Sequence, residues 1–341
     1  MHGVAQAQGA SVALLYSQTA DIWSDGVGTI GAHKKAIYLA LRHLQLPVDV
    51  VVEEDATSGA LTRLNYTALY ITEAHVTDAA GAAIAEWVKQ GGTVFATAGA
   101  GLRNEFNASN SAMATLLGVA ESATRSCAHS SGEIHWLKDD LPFTQPLEHV
   151  SSAAGSAAAT MPALGRVSVF SAAATTTTLA KFAGSGLPAV VQSSVGRGHA
   201  IYAGFLPGLS YFFPAIPRRP ADRGATDLNM NHFVPHEFDV AAREMIGLGA
   251  KAAGARSPVV ASEPLVESGV ITAVAPHHGT AVPLINWASR PISNLTVQLN
   301  FGVEFAHAHL SSGAALTRST GADGATVFSL DLAVADAIVL R

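Results

Sequence analysis

The chain has 341 residues, 49% of them hydrophobic and only 13% charged, with a formal net charge of −6. At roughly 150 residues per domain this allows two or three packed domains and excludes general disorder. An acidic balance argues against a nucleic-acid partner held by phosphate contacts, and one cysteine, Cys127, excludes a disulfide framework or a Cys-based zinc site.

Met1 to Gly9 lacks the charged start and apolar centre of a signal peptide. It reads as a frayed polar start, or as the scar of a removed signal around Ala5-Gln6-Ala7. Localisation stays open on this basis, cytoplasmic or exported. No apolar run approaches the ~20 residues of a membrane helix, so no membrane partner is expected. Ser11–Tyr16 (SVALLY) reads as a buried strand and Ser17 to Gly31 as a polar, glycine-bearing loop. His33 to Leu44 has helical apolar spacing at Ile37, Leu41 and Leu44. Pro47 breaks it, and Val48–Val52 and Ala68–Thr72 read as further buried strands. Asp78 can cap a helix running to Lys89, with Ala82, Ile84, Ala85 and Val88 inward. Gly91-Gly92 ends that helix and Thr93–Thr97 is a fourth strand. Continuous apolar strands alternating with helices predict a parallel sheet covered on both faces.

From about Ala120 to 235 the pattern is β-rich and irregular. Ser151–Thr160 and Ser171–Ala180 are low in complexity and read as loop or edge structure. Leu187–Leu206 gives two strands around Gly196-Arg197-Gly198. Phe238–Leu248 reads as a helix, and Lys251–Ser257 as a linker. Short strands follow at Val270–Val274, Val282–Trp287, Leu295–Leu299, Ala325–Leu330 and Ala337–Leu340, the pattern of a small β-sandwich. The expected division is therefore 1–254 and 255–341.

The runs VALLYSQTADIWSD, AIYLALRHLQLPVDVV and ALYITEAHVTDAAGAAIAEWVKQGGTVFAT resemble the trimerisation domain of glycoside hydrolase family 42 β-galactosidases. The most specific segments are Leu46-Pro47-Val48-Asp49-Val50 and Val88-Lys89-Gln90-Gly91-Gly92-Thr93. The resemblance implies a three-layer α/β domain of flavodoxin-like, class I glutamine amidotransferase-like fold. It further implies a homo-oligomer, and the C-terminal strands look like the β-sandwich that ends such enzymes. The family's catalytic barrel, some ~250 residues, is not in this chain.

Glutamine amidotransferases carry their cysteine nucleophile on a sharp bend after a sheet strand. The matching bend here is Ala98-Gly99-Ala100-Gly101, which offers no thiol, hydroxyl or amine. Cys127 lies downstream, in Ser126-Cys127-Ala128-His129. In open α/β sheets ligands bind beyond the carboxyl ends of the strands. Reading off those ends gives Asp21, Trp23, Glu53, Glu54, Asp55, Glu73, His75, Arg103, Asn104 and Glu105. Glu73, His75 and Glu105 are the candidate acid/base set, and Asp21, Trp23, Arg103 and Asn104 the candidate ligand contacts. The alternative reading is that these are ordinary loop polars, solvated or capping helices, as nearby Asp78 is adequately explained as a cap. Asp227-x-Asn229-x-Asn231 begins like a calcium loop but lacks the later ligands, leaving a looser site for a divalent cation such as calcium, with Asp222 or Asp239. Arg218, Arg219 and Arg223 read as a clamp onto acidic loops such as Glu53–Asp55, or as an anion site. Phe205, Tyr211, Phe212 and Phe213 form an aromatic cluster suited to burial or to sugar stacking.

Two functions lead the expectations, with a third, a sugar-binding module, resting only on the aromatics and the β-sandwich. One is a non-catalytic accessory or oligomerisation module linked to carbohydrate processing. The other is a free-standing hydrolase for an ester, lactone or glycosidic bond, using crevice carboxylates and His75, with a cation. A carbohydrate or a small ester or lactone is the ligand class in either case.

Overall fold

A computed structural model describes residues 5–24, 29–126, 145–152, 159–215, 236–274, 278–322 and 324–341. Cys127, Arg218, Arg219, Asp222, Arg223, Asp227, Asn229 and Asn231 lie outside the described residues. The chain divides into two units: 11–40 with 48–255, and 1–10 with 41–47 and 256–341. The units thus interleave in sequence, where a contiguous 1–254 and 255–341 division was expected.

The larger unit is built on a nine-stranded sheet. Five parallel strands lie in the order Val48–Val52, Val12–Tyr16, Ala68–Ile71, Thr93–Ala96 and Gly198–Ala203. The Val12, Ala68 and Thr93 strands have nearly every side chain buried, which is why they read as unbroken apolar runs rather than alternations. Past the fifth strand the sheet turns antiparallel through Pro188–Val195, Thr177–Phe182, Glu148–Ser152 and Ala159–Ala163. The Thr177 strand corrects the expectation of loop or edge structure for Ser171–Ala180, since its low-complexity threonines conceal a pairing made on both sides. A separate ladder joins Val119–Ser126 to Arg166–Ala172.

Helices cover the sheet. Val240–Ala252 is capped by Asp239, whose carboxylate accepts the Ala242 N–H at 2.8 Å. Gly249 of this helix leaves room for Tyr70: a Cβ there would stand 2.8 Å from the tyrosine hydroxyl. That hydroxyl donates to the Ile246 carbonyl and accepts from the Ala250 N–H, and burial raises its pKa. Asp78–Lys89 forms as expected, with two corrections. Thr77 rather than Asp78 is its cap, and Ala82 faces outward while Trp87 faces inward. Within Ser17 to Gly31, expected as a loop, the described residues are largely helical. Gln18–Ser24 is a helix, started by the Ser17 hydroxyl accepting the Ala20 N–H, and the next helix, Thr29–His43, begins four residues before the expected start. Phe205 and Tyr211 of the aromatic cluster are buried, Tyr211 stacking on Phe238 at 4.8 Å.

The smaller unit is β-rich. Val259–Ala261, Ile292–Leu299, Thr326–Leu332 and Thr317–Thr320 form one antiparallel sheet. Ala5–Ala7, Ile271–Ala273, Thr280–Asn286, Ala335–Leu340, Ala308–Leu310 and Val266–Ser268 form the other. Ala5–Ala7, within the stretch read as a frayed start, is therefore a strand paired with Ile271–Ala273. Gln45 is bound into the same unit. At φ 61°, its side-chain amide donates to the Ala261 carbonyl at 3.0 Å and accepts the Ala261 N–H, as a neighbouring strand would. Arg42 pairs with Glu267 at 2.8 Å beside it. Among the described residues, no helix is long and apolar enough to cross a membrane, which leaves strands untested.

Candidate functional site

The carboxyl ends of the parallel strands carry two side-chain clusters in the larger unit. The first is closed. Glu53 starts the helix Glu53–Thr57 and is buried. Its Oε2 accepts from the Ser17 hydroxyl (3.1 Å), the Thr19 N–H (3.3 Å) and the Thr19 hydroxyl (2.9 Å), and its Oε1 from the Thr77 N–H (2.6 Å). Glu73, also buried, accepts the Ser17 N–H at 2.9 Å and pairs with Lys34 Nζ at 2.5 Å. Lys34 lies 4.8 Å from the centre of the Tyr16 ring, and the Tyr16 hydroxyl donates to Asp21. That hydrogen bond, with the negative charge behind it, raises the tyrosine pKa. Both glutamates therefore accept at both oxygens, from Ser17 and Thr19 at the start of the helix Gln18–Ser24, from Thr77 and from Lys34 of the helix Thr29–His43. Buried carboxylates so engaged hold loops together.

His33 is the third buried group there. Its Nδ1 accepts the Gly208 N–H at 3.1 Å, so the Nε2–H donates to the Thr97 hydroxyl at 3.2 Å. Burial pushes this imidazole down to about 3. Gly208 allows the contact, since a Cβ there would lie 2.6 Å from Nδ1.

The second cluster is open. Trp23 donates its indole N–H to the Glu105 carbonyl at 3.0 Å, and its ring stacks on His75 with centroids 5.7 Å apart and planes 12° apart. His75 Nε2 bonds Asn107 Oδ1 at 3.0 Å, while its buried Nδ1 has no protein partner. The loop 103–109 is held from within. Asn104 Oδ1 accepts the N–H groups of Phe106 (3.1 Å) and Ala108 (2.9 Å), and its Nδ2 donates to Asp78 at 2.9 Å. Glu105 accepts the Asp78 N–H at 2.8 Å, placing negative charge at the start of the helix Asp78–Lys89. Asn107 adopts φ 57°, a left-handed conformation asparagine tolerates. Arg103 is exposed, with backbone bridges to His75 and Ser109. The apolar members face solvent: Trp23 is 47%, Phe106 77% and Ile22 83% exposed.

The structure thus brings Trp23, His75, Arg103, Asn104 and Glu105 together and leaves Glu73 and Asp21 in the other cluster. Glu73 bonds Ser17 and Lys34 whereas His75 bonds Asn107, and among the described residues no hydrogen bond joins the two. Sequence reasoning missed Lys34, Ser17, Thr19, His33, Phe106 and Asn107. Among the described residues no group of three His, Cys, Asp or Glu is placed to hold a metal ion, and Asp239, named with the calcium-like stretch, serves as a helix cap.

The bend after Thr93–Ala96 has glycines at φ 78° (Gly99) and 71° (Gly101). The Gly99 N–H donates to the Tyr202 hydroxyl at 3.0 Å, and that hydroxyl bonds Glu121. Burial, then the Glu121 charge, raises the Tyr202 pKa. Arg166 lies 3.5 Å from Glu121, and a Cβ on Gly99 would stand 2.2 Å from its guanidinium. The space in which a nucleophile on this bend would project is filled by an arginine.

No family model and no curated protein matches this sequence. Solved structures do share its fold. They include a β-galactosidase from Rahnella sp. R3 (TM-score 0.63, 16% identity, 98% of this chain and 41% of that one). A β-galactosidase from Bacillus circulans sp. alkalophilus gives 0.61, 13%, 97% and 41%. The α-L-fucosidase isoenzyme 2 from Paenibacillus thiaminolyticus gives 0.62, 14%, 99% and 49%. A GH42 β-galactosidase from G. stearothermophilus is similar at 0.62, with 15% identity. The chain spans two-fifths to one half of the length of these enzymes, and what it shares with that part of them is a mixed α/β fold with a β-rich C-terminal portion.

Proposed function

We propose that this chain is a non-catalytic accessory module linked to carbohydrate processing, working as a homo-oligomer. The observation that carries this reading is the bend at 98–101, which presents only glycine and alanine, with the Arg166 guanidinium against Gly99, where the resemblance to glutamine amidotransferases would call for a nucleophile. The satisfied Glu53 and Glu73 agree with it, because carboxylates committed to four and two donors are poor proton carriers. The parallel strands follow the 2-1-3-4-5 order of flavodoxin-like sheets, which supports a glutamine amidotransferase-like assignment for the larger unit. The two sheets of the smaller unit support a β-sandwich. Likeness to part of several glycosidases supports the carbohydrate link.

The test is a panel of aryl esters, lactones and aryl glycosides, with and without EDTA, alongside light scattering. No turnover and a dimer or trimer are expected. A strict monomer removes the assembly role. Hydrolysis that drops by about 10² or more in Glu73→Ala and His75→Ala identifies a free-standing hydrolase instead.

A further inference from the structure

We infer that Trp23 and Phe106 form a carbohydrate-binding platform, on which the indole takes the apolar face of a neutral pyranose ring while the polar groups around it take the hydroxyls. The choice of a sugar rests on the proposed link to carbohydrate processing; the existence of a platform rests on geometry alone.

Three observations carry it. Single exposed apolar side chains are ordinary, but here the exposed indole of Trp23 bonds the carbonyl of Glu105, the residue before the exposed Phe106, so two exposed rings share one place on the surface. The Trp23 ring and the backbone at Phe106 are also pre-positioned. The indole is fixed at its nitrogen by the Glu105 carbonyl and stacked on His75, and it remains 47% exposed. The backbone that carries Phe106 is held by Asn104 Oδ1, which accepts the N–H groups of Phe106 and Ala108. Rigid aromatic groups lose little freedom when a ligand arrives, which favours binding with few contacts. Finally, the patch is interleaved with Arg103, Glu105, Asn107 and Asp78. The core of a protein interface is depleted in such charged groups. Apolar faces bordered by hydrogen-bonding groups match a ring whose own faces are apolar and whose rim is hydroxyl. The position beyond the carboxyl ends of parallel strands is where open α/β sheets bind small ligands.

The experiment uses the full chain labelled with 15N. The indole N–H signal of Trp23, assigned by its loss in Trp23→Phe, is followed on adding methyl β-galactopyranoside, methyl β-glucopyranoside or lactose. Galactitol, with hydroxyls but no ring face, is the control. Saturable shifts with about millimolar Kd are expected for the ring sugars and none for galactitol. Trp23→Ala and Phe106→Ala should each weaken binding at least about tenfold, while Trp23→Phe retains part of it. Phe106→Ala carries the test if Trp23→Ala misfolds, because Phe106 faces solvent. No shift with any ring sugar, equal shifts with galactitol, or undiminished binding in Phe106→Ala overturns the platform. So does self-association that both alanine variants abolish, which would make the patch a contact with a second copy. Failure of sugar binding with an inert substrate panel leaves the accessory reading standing. Hydrolysis by a chain that still binds sugars through Trp23 removes that reading and keeps the platform.

Discussion

The two clusters at the strand ends differ in what they do with polarity. Around Glu53 and Glu73, polar atoms are buried and meet one another; around Trp23 and Phe106, polar atoms hold a loop so that apolar rings face water. Both are dense in residue types that could do chemistry. Only the second leaves its most exposed groups without a structural duty. A carboxylate near a histidine in sequence is therefore a weak guide to function until its donors are counted.

The comparison breaks first at Glu53. Glu53→Ala strands the donors of Thr19 and Thr77 in a buried site, and should cost about 3 kcal/mol or more in urea unfolding. A loss under about 0.5 kcal/mol would mean that water replaces the carboxylate and the cluster is open after all. Gly99→Ala should cost about 1–2 kcal/mol, from the left-handed backbone and from the displaced Arg166, by the same measurement. His33 gives a pH signature. It stays neutral when folded down to about 3 but binds a proton from pH 6.5 in the unfolded chain. The unfolded state holds the extra proton between these values. Stability should therefore fall by about 1.4 kcal/mol per pH unit below 6.5 and be flat, from this group, above it. His33→Gln should remove that slope, read from urea midpoints at several pH values. Phe106→Ala is the smallest effect, within about 0.5 kcal/mol of the parent, which is what separates a presented ring from a core one.

Much of the parallel sheet was legible because its strands are buried on both faces and read as short apolar runs. The Asp78–Lys89 helix was legible from its period and its closing glycines. Pairings far apart in sequence were not: Ala5–Ala7 carries no strand signal of its own and is ordered by Ile271–Ala273. Gln18–Ser24 looked like a loop because its start depends on Ser17 and on Glu53, 36 residues from it. At the site, residue types at strand ends named Trp23, His75 and Glu105, but spacing could not say which would meet. A phenylalanine set between Glu105 and Asn107 was the one local signal for an exposed ring. Lys34 and His33 left none, since their partners are distant.

The clasp made by Gln45 bears on how this protein can be cut and recombined. The strip 41–47 belongs with 256–341, although some two hundred residues of the other unit intervene. A gene fragment starting at 256 would lack the amide that completes the Ala261 strand and the guanidinium beside Glu267. Crossovers that keep the last eighty-odd residues while exchanging everything before them should yield poorly folded products, so the two units are expected to be inherited as a single piece.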